Sequence, residues 1–362
     1  METLQVRPSD TRDIVLRAMK AKRPIFLWGP PGIGKSELVQ QIVDSGELGN
    51  AYMIDMRLAL MEPTDLRGYP FRNPETNTME WAPPADLPTQ ELADSYDTIV
   101  VFLDELNSAP PSVQAAAYQL VLNGRIGQYT MPGNVKIVAA GNRETERGVT
   151  YRMPSPLANR FRHINMEVNF EDWSVWAVNN TVHQDVIGYL TYSKADLFDF
   201  DPKTSSQSFA TPRSWSFVSE LLDDALPENT LTDLVAGAVG EGLAVKFMNH
   251  RKVSGQLPNP SDILIGKVRD LKCKEISAMY SLTISLCYEL QQAHQKKAKN
   301  WNEMADRFFD YMMDNFETEL VVMGAKVALT NYKLPFDPSK LKSFDRFHKK
   351  FGKYVITAMD SK

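Results

Sequence analysis

Five short strand-like runs, several of them apolar, punctuate the first half of the chain, at 24–28, 51–55, 98–103, 135–140 and 161–166. The third, Thr98-Ile99-Val100-Val101-Phe102-Leu103, is apolar at every position after its first. That pattern predicts a strand buried on both faces of a parallel sheet. Helical periodicity separates several of the runs, beginning with an amphipathic stretch over 9–22 that Ser9 or Asp10 could cap. Alternating strands and helices predict a parallel sheet with helices on its faces, an α/β fold. From about residue 170 onward the pattern becomes overwhelmingly helical, with breaks at 193–211 and 252–262. The segment 301–360 reads as amphipathic helices whose Phe, Tyr and Met residues form a core.

Two segments interrupt the α/β pattern. The stretch from Asp65 to Pro84 places a turn, Asn73-Pro74-Glu75-Thr76-Asn77, between short β-like runs, which predicts a hairpin. Asn123–Asn134 predicts a second hairpin just before the fourth strand.

Candidate chemistry enters at the end of the first run. Gly29-Pro30-Pro31-Gly32-Ile33-Gly34-Lys35-Ser36 follows the apolar Pro24–Trp28 and precedes the helix-like Glu37–Val43. This is the pattern G-x-x-x-x-G-K-[ST] in the strand–loop–helix context it requires. The glycines let successive backbone N–H groups turn inward on an anion, and the following helix adds its positive end. Lys35 is placed to reach the outer phosphates of a nucleotide, and the Ser36 hydroxyl to ligate Mg²⁺. The third run ends in Asp104-Glu105, carboxylates at the C-terminal end of a strand, where α/β sheets bind ligands. Asp104 is placed to hold Mg²⁺, and Glu105 to orient or deprotonate an attacking water. Together the two motifs imply nucleotide hydrolysis; the loop does not exclude GTP, but no Asn-Lys-x-Asp run that would read guanine is present.

Composition narrows the picture. The chain has 362 residues, 43% hydrophobic and 23% charged, with a net charge of −5. Two or three domains are expected. The acidic balance argues against a broadly basic nucleic-acid surface. Cys273 and Cys287 form no C-x-x-C pair, which disfavours a disulfide framework or structural zinc and suits a reducing cytoplasm. Met1–Asp13 is polar and charged, and no apolar stretch approaches the roughly 18 residues of a membrane span, so a soluble, cytoplasmic chain is expected.

Further residues carry a family resemblance. Gly141-Asn142 follows the fourth run, and Asn142 resembles the sensor-1 residue of AAA+ ATPases. Ser155-Pro156-Leu157-Ala158-Asn159-Arg160-Phe161 resembles the helix end bearing an arginine finger. Ala210-Thr211-Pro212-Arg213-Ser214-Trp215 resembles a sensor-2 motif, with Pro212 suited to a first helical turn. Over about residues 10–225 the chain thus resembles a MoxR-type AAA+ ATPase of the dynein-like and magnesium-chelatase-like branch. The resemblance implies an AAA+ module over 1–170 built on a five-stranded parallel sheet flanked by helices, an α-helical lid over 171–255 and, beyond the match, a helical C-terminal extension over 256–362. It also implies a ring, usually hexameric, with ATP at subunit interfaces. Arg160 would act in trans, with Arg162 and Arg143 as alternatives, and Arg213 in cis from the lid.

Two functions fit these residues. In the first, a ring remodels a separate protein client, one bearing a von Willebrand factor A domain being common for MoxR-like ATPases; this chain contains no D-x-S-x-S run of that domain. In the second, the ring is a nucleic-acid motor. The hairpin 124–134 carries one Arg, Arg125, and the basic clusters Lys296-Lys297-Lys299 and Arg346–Lys353 read as solvated helix faces. Compact single-module rings of this kind resemble bacterial and bacteriophage proteins.

Overall fold

The computed structural model describes residues 4–146, 150–203, 207–223, 225–273 and 275–360; part of the predicted break at 193–211 lies outside them. The strands are β1 Gln5–Val6, β2 Ile25–Trp28, β3 Ala51–Arg57, β4 Tyr69–Arg72, β5 Met79–Ala82, β6 Thr98–Asp104, β7 Arg125–Ile126, β8 Tyr129–Thr130, β9 Val135–Gly141 and β10 Arg162–Met166. The helices among them are α1 Pro8–Lys20, α2 Lys35–Asp44, α3 Pro63–Arg67, α4 Gln90–Asp94, α5 Pro111–Asn123 and α6 Ser155–Ala158. Then follow α7 Phe170–Asn179, α8 Gln184–Tyr192, α9 Pro212–Leu221, α10 Glu228–Val239, α11 Glu241–Ser254, α12 Pro260–Leu264, α13 Ile276–Gln295, α14 Trp301–Asn315, α15 Thr318–Thr330 and α16 Phe344–Asp360. The chain divides into two compact units, the first running to Asn169 and the second taking Phe170–Phe200 and the remainder after the 201–205 segment.

In the first unit all five predicted strands are present in one parallel sheet, ordered β1-β10-β2-β9-β6-β3. The sheet has six strands rather than five, because β1 adds to the edge beside β10. Two residues are too few to show a period, so β1 leaves no mark in the sequence pattern. The apolar run of β6 is buried along its length. Ile99, Val101 and Leu103 join Val113, Ala117 and Leu120 of α5 in one apolar cluster. Val100 and Phe102 are equally buried and, by strand alternation, face the side on which α1 and α2 pack. Double-sided burial is why this strand reads as continuously apolar.

The start of α1 departs from expectation. Its N-cap is Arg7, with Pro8 opening the helix and no side chain capping it. Pro8 fixes the first turn without needing an N–H, so Ser9 and Asp10 fall inside the helix.

Both predicted hairpins form, as β4–β5 and β7–β8. The first is introduced by α3, whose C-cap Gly68 has φ 88°. A Cβ there would lie 1.9 Å from the Ala82 carbonyl oxygen, so close backbone approach at the hairpin base requires glycine.

The second unit is helical. Its main apolar cluster gathers Leu286 and Leu290 of α13, Phe308 and Met312 of α14, Val321 of α15 and Phe347 and Phe351 of α16. Aromatic and Met residues of the predicted amphipathic tail are therefore core. Cys287 is buried, and burial pushes its thiol well above the ordinary range. Against this core α16 turns Phe347, Phe351 and Val355 inward and leaves His348, Lys349, Lys350 and Lys353 exposed. Helices α8 and α13 approach closely at Gly188, where a Cβ would meet the Ser281 backbone Cα at 3.0 Å and its Oγ at 2.5 Å.

Gly188→Ala should gain up to about 1 kcal/mol of helix propensity and lose more to overpacking, for a net loss of roughly 1–3 kcal/mol. Chemical denaturation followed by circular dichroism should show a lowered midpoint. An unchanged midpoint would mean that α8 and α13 do not meet this closely.

Candidate functional site

Strand register brings the motifs together. Trp28, the last residue of β2, pairs with Gly141, the last of β9, and Leu103 of β6 pairs with Ala139 of β9. The three strands therefore end side by side, and the segments following them emerge at one edge of the sheet. Those segments are Gly29–Gly34, Asn142 and Asp104-Glu105.

After β2, Gly32 and Gly34 take φ values of 75° and 91°, left-handed conformations that side chains disfavour. Gly34 is the N-cap of α2, and no side chain caps that helix. The positive end of the helix dipole therefore faces the loop without a capping side chain, an arrangement suited to an anion. Pro30 and Ile33 are buried, and Pro31 and Ser36 are half-buried. Lys35 Nζ donates to the carbonyls of Gly29 at 2.5 Å and Pro30 at 2.9 Å, and to Asn142 Oδ1 at 3.1 Å. The ammonium thus bridges the phosphate loop and the end of β9.

After β6, the turn is tied on both sides. Leu106 N–H donates to the Ala140 carbonyl, and the Glu105 carbonyl accepts from Ser108 and Ala109. Glu105 N–H donates to Asp104 Oδ1 at 2.9 Å. Glu105 has φ 55°, a left-handed conformation that a non-glycine residue holds at a cost of about 1–3 kcal/mol. Its side chain is exposed while Asp104 is half-buried.

Asn142 is held by Asn107, whose Nδ2 donates to the Asn142 carbonyl at 2.7 Å. Asn107 is buried against Gly141, where a Cβ would sit 2.0 Å from its Oδ1. Glycine at 141 is what admits Asn107 to this position. Asn107 was not a sequence candidate, because a buried Asn in a turn has no spacing signature. Asp55 was also missed. Partial desolvation raises its carboxyl above the ordinary range, and the negative charge of Asp104 raises it further.

The arginines separate. Arg143 Nη1 bonds Glu146 at 3.2 Å, its Nε bonds Asn165 Oδ1 and its Nη2 bonds Gln5 Oε1. It is committed to a network inside its own unit. Arg160, two residues past α6, and Arg162, at the start of β10, are both exposed. A histidine links α6 to the sheet. Trp28 Nε1 donates to His163 Nδ1 at 2.9 Å, and His163 Nε2 lies 2.8 Å from the Ala158 carbonyl. Since Nδ1 accepts, the ring proton is on Nε2 and donates to Ala158. Arg213 lies in the second unit, exposed in the first turn of α9, behind Pro212 and a reciprocal Thr211–Ser214 cap.

No helix among the described residues is long and apolar enough to cross a membrane. Residues 24–161 match the model of the AAA domain of the dynein-related subfamily. The match runs from the first long strand to Phe161, just short of β10, and ends before the helical unit begins. Among solved structures, a candidate ATPase from Cytophaga hutchinsonii is similar at 14% identity, over 90% of this chain and 82% of that one, with a TM-score of 0.34. A RuvB variant from Thermotoga maritima is similar at 17% identity, over 85% of this chain and 86% of that one, with a TM-score of 0.35. The phosphate loop, the carboxylates after β6 and the family match fall on the same unit: residues 24–161 form an AAA domain of the dynein-related subfamily, and the protein is an ATPase.

Proposed function

We propose that the protein hydrolyses ATP with Mg²⁺ in a ring of identical subunits and uses the turnover to remodel or assemble a protein partner, in the manner of MoxR-type ATPases. The observation that carries the catalytic part is the Lys35 ammonium bonded at once to the phosphate loop and to Asn142. Residues 107 positions apart meet where a γ-phosphate would sit, so one cation and one amide can read the same group.

Each residue has a role in this reading. Gly29–Gly34 wrap the phosphates with backbone N–H groups, and Lys35 exchanges its carbonyl partners for phosphate oxygens. Glu105, exposed beside Asp104, orients and deprotonates the attacking water. Asn142 positions that water. Ser36 and Asp104 supply oxygen donors of the kind a hard divalent cation takes. Among the described residues no three His, Cys, Asp or Glu side chains gather to cage a metal, and Mg²⁺ characteristically binds one or two carboxylates together with substrate phosphates. The crowding of Asp55 and Asp104 supports the assignment, since a cation beside them relieves their repulsion. When bound, Mg²⁺ neutralises charge on the phosphates.

Arg160 stabilises the γ-phosphate of a neighbouring subunit, with Arg162 as the remaining alternative; the commitments of Arg143 set it apart. Arg213 reports nucleotide state from a lid over 171–255, and 256–362 forms an extension of that lid. The client reading draws on the β4–β5 hairpin, where Tyr69, Phe71 and Met79 are exposed. Clustered exposed apolar side chains of this kind mark protein contacts. The partner is a separate polypeptide, one with a von Willebrand factor A domain being the first to test, and the site of action is the cytoplasm of a bacterium or an infected host. One observation favours a nucleic-acid motor instead: the exposed His348, Lys349, Lys350 and Lys353 of α16. That alternative requires binding that falls steeply with salt.

Lys35→Ala should abolish nucleotide binding in a fluorescent-ATP titration; wild-type affinity would refute the phosphate-loop assignment. Glu105→Gln should bind ATP normally and lose about 10²–10⁴-fold in turnover, so steady-state hydrolysis near the wild-type rate would unseat Glu105 as base. Arg160→Ala should bind ATP and lose roughly 10³-fold or more in turnover. Mixed with Lys35→Ala it should regain activity at hybrid interfaces. Absence of rescue in subunits shown to co-assemble would rule out action in trans. Capture of a specific protein by ATP-loaded Glu105→Gln, retained after nuclease treatment, distinguishes the client reading from the motor reading.

A further inference from the structure

At the edge of the sheet where β9 and β10 begin, opposite the phosphate loop, the first unit has a cavity of about 460 Å³. Five cationic side chains line it: Lys22 and Arg23 past the end of α1, Lys136 in β9, Arg160 past α6 and Arg162 at the start of β10. No carboxylate lines it. Lys22 Nζ donates to the Gly133 carbonyl at 3.1 Å. None of the five is ion-paired within the described residues, although the chain as a whole carries five more negative than positive charges. Lys136 shows the consequence: burial holds its amine below the ordinary lysine range, and the charge of Lys22 lowers it further. Such a concentration of like charge opposes folding and is relieved by a bound anion. The floor is apolar, formed by Met19, Val121 and Met131 among others, so charge-assisted hydrogen bonds made there are partly shielded from water.

We infer that this cavity is a second anion site that binds a phosphoanhydride chain, with Lys22, Arg23, Lys136 and Arg162 as its contacts. A chain of linked phosphates fits better than a single one, because these four cations come from three separate segments, the end of α1, β9 and β10. Two sources supply that chemistry: free polyphosphate, or the triphosphate of a nucleotide held by a neighbouring copy. Only the second source rests on the ring proposed above. In that case the site assigns Lys22, Arg23 and Lys136 to the interface alongside Arg160.

The test uses the full-length Lys35→Ala protein, in which the phosphate loop is disabled, titrated calorimetrically with sodium tripolyphosphate. One saturable site per chain, weakening with salt, is expected. Adding Lys136→Ala and Arg23→Ala should weaken binding roughly tenfold or more, while Lys349→Ala with Lys350→Ala on α16 should leave it unchanged. Lys136→Gln removes the charge while keeping most of the side-chain length, and serves if the alanine variant loses its circular dichroism signal. No binding, or an equal loss in the α16 control, overturns the inference. Tighter binding of a single-stranded oligonucleotide, lost in the same Lys136 variant, also overturns it in favour of a nucleic-acid backbone. The source follows from sedimentation of an otherwise wild-type Lys136→Ala protein with ATP and Mg²⁺. Loss of ATP-dependent assembly identifies the neighbour's nucleotide, and intact assembly with weakened tripolyphosphate binding identifies the free anion. Failure of the ring reading leaves the calorimetric result standing, so the two can fail separately.

Discussion

The parallel pairing of β2, β9 and β6 is the constraint on which the nucleotide site depends. Trp28 beside Gly141, and Leu103 beside Ala139, set three strand ends level. A side chain leaving any one of them then lies within reach of the others. The Lys35 ammonium spans two of these ends, and the Leu106–Ala140 bond ties the third to the second. A register shift by one residue would turn the inward side chains of a strand to the opposite face and separate these groups. The buried apolar faces of β6 are what make such a shift costly. Packing energy thereby fixes the relative placement of these groups.

Glycine and asparagine finish what the register begins. Gly141 admits Asn107, and Asn107 holds the backbone of Asn142. The left-handed Glu105 turns the chain sharply after Asp104, leaving one carboxylate half-buried and the next exposed. Two adjacent acids thus receive different surroundings. His163 extends the same logic away from the phosphate loop. By accepting from Trp28 and donating to Ala158, it couples the strand before the loop to the helix before Arg160.

Charge is divided within the first unit. Carboxylates Asp55, Asp104 and Glu105 gather where the central strands end, and unpaired cations gather where β9 and β10 begin. The first unit thus carries an acidic edge and a basic edge at opposite ends of the same strands, the separation of charge on which the proposed head-to-tail association would draw.

Local chemistry was legible in the sequence wherever a short run carries its own context. Gly29–Ser36 between a strand and a helix, and Asp104-Glu105 after an apolar run, announce a nucleotide site because the backbone path and the side chains needed are consecutive. The five main strands were legible for the same reason, and both hairpins were marked by their turns. The edge strand β1 was not, since two residues carry no period, nor was the α1 cap, since Pro8 made a side-chain cap unnecessary. Tertiary structure alone decided the rest. Asn107, Asp55, His163 and the cluster of Lys22, Arg23, Lys136 and Arg162 consist of residues far apart in the chain, joined by strand order. Arg143, Arg160 and Arg162 are equivalent as letters, and hydrogen bonds to Glu146, Asn165 and Gln5 are what set Arg143 apart. The sequence determined which chemistry is available because that chemistry resides in contiguous motifs; the fold decided which residues share a site, because adjacency in a parallel sheet depends on register and not on distance along the chain.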